Sequence, residues 1–223
     1  DLLIHTGEFG DQRLLGNATD ISEHIIIESN GTSGDFVNVR VKGGGLRDSL
    51  GDDSTSFLDY QVKKGSKIII DGGEGNDLFD LTGFTEDEVL FEIDGGSGDD
   101  EILLAGAAAT GVAGKFSTIR GGRGDDTIQG SGGNDIIIGG LGNDNIMAGD
   151  GDDLVFGDEG EIGTDSVRAD VAPTDGADTI DGEDGEDILI GGGGSDTITG
   201  GATMGDDLLI GGGGVVFFEP GEL

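Results

Sequence analysis

The chain contains no cysteine, which excludes a disulfide framework and any thiolate metal site. It has no tryptophan, 1 tyrosine and only 2 prolines in 223 residues. Positive charge is scarce: Lys and Arg number 11 against 47 Asp and Glu, a formal net charge of -36. Such a surface repels phosphate, so nucleic acid is excluded as a partner. No apolar run is long enough for a helical membrane span, and no membrane insertion is expected. The opening residues carry no signal-peptide pattern. The chain starts at Asp1 rather than Met, which reads as a processed product or a fragment.

What the chain does have is glycine, 49 residues of it, and hydrophobic residues at 34%. A chain this acidic is ordinarily disordered through self-repulsion. Here the apolar residues come in short regular bursts such as "KIII", "DIIIG" and "DILIG", which acidic tails lack. Patterning combined with this charge implies that a cation completes the fold.

The bursts have a period. From Gly121 onward, nine-residue units run 121–129, 130–138, 139–147 and 148–156 without a gap. Two irregular units, 157–168 and 169–181, are aligned by their endings "GTDSV" and "GADTI"; then come 182–190, 191–199, an enlarged 200–210 and 211–219. The unit also occurs singly at 72–80 and 95–103. Bursts ending in Ile70, Ile93 and Ile119 precede the earlier glycine turns. The first 120 residues therefore read as wider coils with one glycine-aspartate turn each and a longer loop opposite. The stretch 24–39 reads as a degenerate first member of the series.

Each feature of the unit has a physical reason. Gly-Gly-x-Gly permits a tight turn. The aliphatic residue in the eighth place points inward from a short strand, and its two neighbours point outward. One unit gives a turn and a strand, two give a coil, and coils stack into a parallel solenoid. The predicted inward ladder is Ile128, Ile137, Ile146, Val155, Val167, Ile180, Leu189, Ile198 and Leu209. That core is thin against an ordering cost of roughly 1–2 kcal/mol per residue. Stacking also brings aspartates of successive coils together, where they repel. Ca²⁺ between turns answers both problems, because it takes 6–8 hard oxygen ligands, carboxylate and carbonyl alike. Mg²⁺ demands stricter octahedral geometry. Zn²⁺ favours His and Cys, and the chain's two histidines, His5 and His24, lie outside the repeats.

Units such as "GGRGDDTIQ", "GGLGNDNIM" and "GGGGSDTIT" resemble the RTX (repeats-in-toxin) nonapeptide G-G-x-G-x-D-x-U-x. The resemblance covers 121–219 well and 72–103 in part. It implies an all-β chain: a right-handed parallel β-solenoid whose wider, β-helix-like N-terminal coils (1–120) pass into a β-roll with two nonapeptides per coil and a C-terminal cap (121–223). It implies multiple Ca²⁺ ions held in the turns. The implied ligand carboxylates are Asp77, Asp100, Asp126, Asp135, Asp144, Asp153, Asp165, Asp178, Asp187, Asp196 and Asp207, and the implied turn glycines are Gly72, Gly95, Gly121, Gly139, Gly182 and Gly191. Asp165 and Asp178 follow insertions, and alternation of units makes Asp126 and Asp165 the column neighbours of Asp144. The last unit has Val216 in the aspartate slot, and "VVFFEPGEL" has the bulk to cap an open end.

Function follows by the same route. The expected protein is a non-enzymatic, calcium-dependent structural module of a secreted or surface-attached protein from a Gram-negative bacterium. It would be exported by a one-step system and fold on meeting extracellular calcium, as part of an adhesin, a surface layer or a secreted enzyme. Other copies of itself, a cell surface or a polysaccharide are the candidate partners besides calcium. The alternative is part of a polysaccharide lyase or epimerase. Arg40, Lys42, Lys63, Lys64 and Lys67, beside Asp59 and Tyr60, would then line a groove, although a solvated face is the preferred reading of them. No constellation of catalytic groups stands out. An ice-binding face would need a Thr-x-Asn pair in every coil, and Thr127, Ile136, Asn145 and Leu154, read in order, form no array.

Overall fold

A computed structural model describes residues 2–5, 24–43, 57–86, 88–104, 116–162, 166–169, 175–201, 205–212 and 215–217. All regular structure among them is strand. After β1 (Leu2–His5) comes an antiparallel meander of β2 (His24–Ser33), β3 (Phe36–Gly43) and β4 (Phe57–Lys63). From β5 (Lys67–Asp71) the chain alternates between two parallel sheets. Its strands are β6 (Leu78–Asp80), β7 (Leu90–Ser97), β8 (Glu101–Leu103), β9 (Ser117–Arg123), β10 (Thr127–Gln129), β11 (Asp135–Leu141), β12 (Asn145–Met147) and β13 (Leu154–Phe156). A hairpin, β14 (Gly160–Ile162) and β15 (Ser166–Ala169), interrupts the alternation. It resumes with β16 (Thr179–Asp181), β17 (Ile188–Ile190), β18 (Thr197–Thr199) and β19 (Leu208–Ile210), and β20 (Val215–Phe217) follows.

One sheet is ordered β1-β5-β7-β9-β11-β13-β17-β19; the other runs β18-β16-β12-β10-β8-β6-β2-β3-β4. The register makes each inward ladder a column of aliphatics. Ile70, Ile93, Ile119, Ile137, Val155, Leu189 and Leu209 are successive partners in the first sheet. Phe79, Ile102, Ile128, Ile146, Ile180 and Ile198 are successive partners in the second. Most of these side chains are completely buried. The parallel solenoid expected from the repeat is thus the architecture.

Three details of the expected repeat differ. The stretch 24–39 joins the series only through its first strand: residues 24–26 of β2 pair parallel with β6, and β2 then turns back into an antiparallel hairpin with β3. Val167 is not in the inward ladder, because β15 pairs antiparallel with β14 and β20. Residues 215–217 add no strand to either parallel ladder. Val216 pairs with Val167, on the flank of the solenoid rather than over its last coil, where Leu208 and Leu209 remain 43% and 42% exposed. The expected cap residues Phe218 and Pro220 lie outside the described residues, as does the 105–114 loop.

The flank has its own chemistry. In β11, β13 and β17 the outward neighbours of the ladder are Ile136, Ile138, Leu154, Phe156, Ile188 and Ile190, and Val167 packs with them in a second apolar cluster. The other sheet carries Thr127, Asn145, Thr179 and Thr197 in one outward column. The outward residues therefore do form regular arrays, apolar on β11, β13 and β17 and largely polar on β10, β12, β16 and β18. The partners two places on, Gln129, Met147, Asp181 and Thr199, do not complete a Thr-x-Asn pair.

Candidate functional site

The turns between strands stack in two columns. In the first, the aspartate main-chain N–H of each turn donates to the Oδ1 of the next turn's aspartate. Asp77 donates to Asp100 at 2.8 Å, Asp100 to Asp126 at 2.8 Å and Asp126 to Asp144 at 2.9 Å. Asp144 donates to Asp178 at 2.9 Å and Asp178 to Asp196 at 3.2 Å. The second column repeats this from Asp135 to Asp153 at 2.7 Å, Asp153 to Asp187 at 2.9 Å and Asp187 to Asp207 at 3.1 Å.

The second carboxylate oxygen is left alone. Oδ2 of Asp77, Asp100, Asp126, Asp144, Asp153, Asp178, Asp187 and Asp196, and Oδ1 of Asp135, are buried with no hydrogen-bond partner. Leaving a buried acceptor unpaired costs about 1–3 kcal/mol, more for a charged one. A column of such oxygens is stable only if something supplies positive charge. Burial accordingly pushes the carboxyl groups of Asp100, Asp126, Asp135, Asp144 and Asp178 up to about 7. Asp153 rises to about 9, through burial first and the Asp135 charge second.

The free oxygen has company of the right kind. A methyl group placed on Gly121 would meet Asp126 Oδ2 at 2.4 Å and the Gly139 carbonyl oxygen at 2.7 Å. On Gly139 it would meet the Gly157 carbonyl oxygen at 2.2 Å and Asp144 Oδ2 at 2.4 Å. Gly72, Gly95 and Gly157 repeat the arrangement with the next turn's carbonyl. A carboxylate oxygen and a carbonyl oxygen from successive turns thus converge over a bare glycine. A methyl group on Gly182 or Gly191 would meet the carboxylate oxygen of Asp187 or Asp196 at 2.4 and 2.3 Å respectively, without such a carbonyl among the nearest atoms. The donors are oxygens throughout, the set that suits Ca²⁺ rather than Zn²⁺. Among the described residues no three His, Asp or Glu side chains form a discrete cluster; the oxygen set is half main chain.

The structure brings ten of the eleven expected aspartates into the two columns. The eleventh, Asp165, lies outside the described residues; the column runs from Asp144 to Asp178. The neighbours of Asp144 are Asp126 and Asp178, which corrects the Asp126–Asp165 pairing expected from alternation. The reason is the spacing. Asp126 and Asp144 are 18 residues apart, whereas Asp144 and Asp178 are 34 apart. The units 157–168 and 169–181 are therefore one turn, begun at Gly157-Asp158, broken by 159–174 and resumed at Asp175-Gly176-Ala177-Asp178.

Two further sets were not anticipated. The fifth place of each turn forms a solvent-side ladder: Asp99 N–H donates to Asn76 Oδ1, Asp125 N–H to Asp99, Asn143 N–H to Asp125 and Ala177 N–H to Asn143. The signal was the Asn or Asp recurring before the sixth-place aspartate in "GND" and "GDD". Asp158, only 1% exposed, is the other. It stands where regular turns hold a left-handed glycine such as Gly122 (φ 116°) or Gly140 (φ 118°).

The basic residues of the N-terminal region are mostly spoken for. Arg40 makes a two-pronged contact with Asp59, at 2.7 and 2.9 Å, and sits 4.0 Å over the Phe57 ring. Lys42 pairs with Glu28, Lys64 with Glu88 and Lys67 with Glu92. Pairing within the sheet surface favours the solvated-face reading over a cationic groove.

Fold and turns together define a parallel β-solenoid whose turns present oxygen ligands to cations. Residues 117–146, 130–161 and 174–203 match the family model described as RTX calcium-binding nonapeptide repeat (4 copies). The chain carries RTX repeats, and such repeats bind several calcium ions per array. No curated protein and no solved structure matches the chain.

Proposed function

We propose that this calcium-binding solenoid is a structural module of a secreted or surface-attached Gram-negative bacterial protein, rigid when calcium-loaded and with residues 121–219 largely unfolded without it. The aspartates of both columns and the turn carbonyls would hold the ions, which supply the positive charge that the buried carboxylates lack. The observation that carries the reading is the column of buried, unpartnered carboxylate oxygens. Extracellular calcium modules work at dissociation constants of about 10⁻⁴–10⁻³ M, which suits a fold that waits for export. Each site filled at a hundredfold excess over its Kd adds about 2.7 kcal/mol. Other copies of the chain or a cell surface are the partners such a rigid module would meet, and the reading assigns no catalysis.

Circular dichroism in EGTA, followed by millimolar Ca²⁺, tests this. The expected result is loss of β signal on chelation and its recovery on calcium addition. An unchanged β signal in EGTA would sink the reading.

A further inference from the structure

In the regular turns, two main-chain hydrogen bonds tie each turn to the next. The third-place N–H of the following turn donates to the second-place carbonyl, as Ser97 does to Gly73 at 2.8 Å. The fourth-place N–H donates forward to the third-place carbonyl of the following turn, as Gly98 does to Arg123 at 2.7 Å and Gly124 to Leu141 at 2.8 Å. The broken turn keeps neither bond in that form. Gly193 N–H, the third place of the following turn, donates to Asp158 Oδ2 at 2.5 Å. Gly176 N–H, the fourth place of the broken turn itself, donates to Asp158 Oδ1 at 3.2 Å. A single buried carboxylate accepts both N–H groups that carbonyls accept in the turns at Gly73, Gly96 and Gly122; in the unbroken turn at Ser131 a side chain takes only one of them, Gly133 N–H donating to Ser131 Oγ at 3.3 Å. The flanking ladder is regular: Gly157 N–H reaches Ile190 O at 2.8 Å, and Asp178 N–H reaches Asp196 Oδ1.

We propose that Asp158 is a positioning residue that splices this turn across its 16-residue insertion. It thereby holds Gly157 and Asp178, which lie on opposite sides of the break, in register for one calcium ion. Both ends of that site are otherwise ordinary: a methyl on Gly157 would meet Asp178 Oδ2 at 2.3 Å and the Gly191 carbonyl oxygen at 2.6 Å. Chain continuity, which sets this geometry in Gly121-to-Asp126 and Gly139-to-Asp144, is missing between Asp158 and Asp175. A charged acceptor makes hydrogen bonds roughly twice as strong as a neutral one, which suits it to replace the lost backbone path. A glycine, the usual residue at this place, offers no such acceptor. The inference rests on the calcium reading above and assigns Asp158 no direct contact with the ion.

The test compares wild type with Asp158→Gly, Asp158→Ala and Asp158→Asn in the full chain. Bound Ca²⁺ is counted by equilibrium dialysis, and the exchange of the Gly176 and Gly193 amides is followed at saturating Ca²⁺. Failure of the wild type to bind calcium would dispose of the calcium reading itself. Given binding, Asp158→Gly and Asp158→Ala are expected to weaken one site by about 10- to 100-fold, the usual cost of losing an outer-shell partner, with faster exchange at both amides. Asp158→Asn retains one acceptor oxygen, so it should restore part of the affinity and protect one amide better than the other. If Asp158→Gly matches the repeats elsewhere, with an unchanged ion count, unchanged midpoint and protected amides, Asp158 is merely a degenerate glycine and the proposal is overturned. Should Asp158→Gly fail to fold, the graded Asp158→Asn result decides: wild-type affinity with both amides equally protected overturns the proposal.

Discussion

The two ends of the solenoid close their coils with different materials. Between β6 and β7 the chain takes a loop that drives Leu81, Phe84 and Val89 into the core, each 0% exposed. Phe84 meets Phe91 edge-on, with ring centroids 5.0 Å apart. Between β10 and β11, and again between β12 and β13, the same side of the coil is a turn of five and six residues respectively, with no aromatic side chain. There the inward contribution shrinks to one aliphatic per strand, and Asp135, Asp153 and Asp187 take the corner. Apolar plug and carboxylate column are alternative ways of closing the same coil. The first is self-sufficient, because burial removes apolar surface from water without help. The second carries unpaired buried acceptors and needs a cation.

Chelation should break this comparison open, and it carries the largest expected effect. In EGTA, amides of β10–β13 and β16–β19 are expected to exchange freely, while those of β2, β3, β5 and β7 keep measurable protection. Hydrogen exchange read by mass spectrometry gives both regions in one experiment. Uniform loss, or uniform retention, would show that the two closures are energetically equivalent.

Single side chains sharpen the contrast. Phe84→Ala removes an aromatic plug and should cost about 3–5 kcal/mol, in EGTA and in calcium alike, without lowering the number of ions bound. Asp144→Ala should do the reverse. It removes the acceptor of the Asp126 N–H and the free oxygen over Gly139, so it lowers the ion count and destabilises only the calcium-loaded state. Calorimetric titration paired with denaturation in each condition distinguishes them. A calcium-independent Asp144→Ala would contradict the column.

The regular turns were legible because position and chemistry coincide in them: glycine where a Cβ would strike the next turn, aspartate where the turn ends, an aliphatic residue two places on. Ile128, Ile146 and Ile180 reach their ladder by counting alone. Counting failed where the chain left the period and came back. An insertion whose own residues include "GTDSV" mimics a repeat ending, so Val167 was assigned to a ladder that the backbone never takes it to. Only the 34-residue partner spacing exposes the detour. The polar and apolar outer faces were present in the text as well, in the contrast of "DTIQG" and "DTIDG" with "DIIIG" and "DILIG". They become visible only when every second unit is compared, because neighbouring units belong to opposite sheets. Asp158 could not be read at all, since its role depends on N–H groups 18 and 35 residues away.

The smallest effect expected is one of slope. Burial raises the Asp100, Asp126, Asp135, Asp144 and Asp178 carboxyls to about 7 and Asp153 to about 9, from an unfolded value near 3.9. With folded values raised, the metal-free native chain binds more protons than the unfolded chain, so its stability falls as pH rises. The contribution is fully present below about pH 4 and is lost through about pH 7, with Asp153 extending the loss toward about pH 9. Mutual repulsion among the 47 acidic residues acts in the same direction at neutral pH, so the sign of the slope alone does not isolate the column. Asp153→Asn does. It deletes one titrating group from the column, and the residual β signal it keeps in EGTA should fall less between pH 7 and 9 than that of the wild type. Calcium should reduce the dependence in the wild type, since the ion replaces the protons. Parallel wild-type and Asp153→Asn curves over that range would mean that Asp153 is already ionised in the metal-free fold, and that its corner of the second column opens to water before calcium arrives.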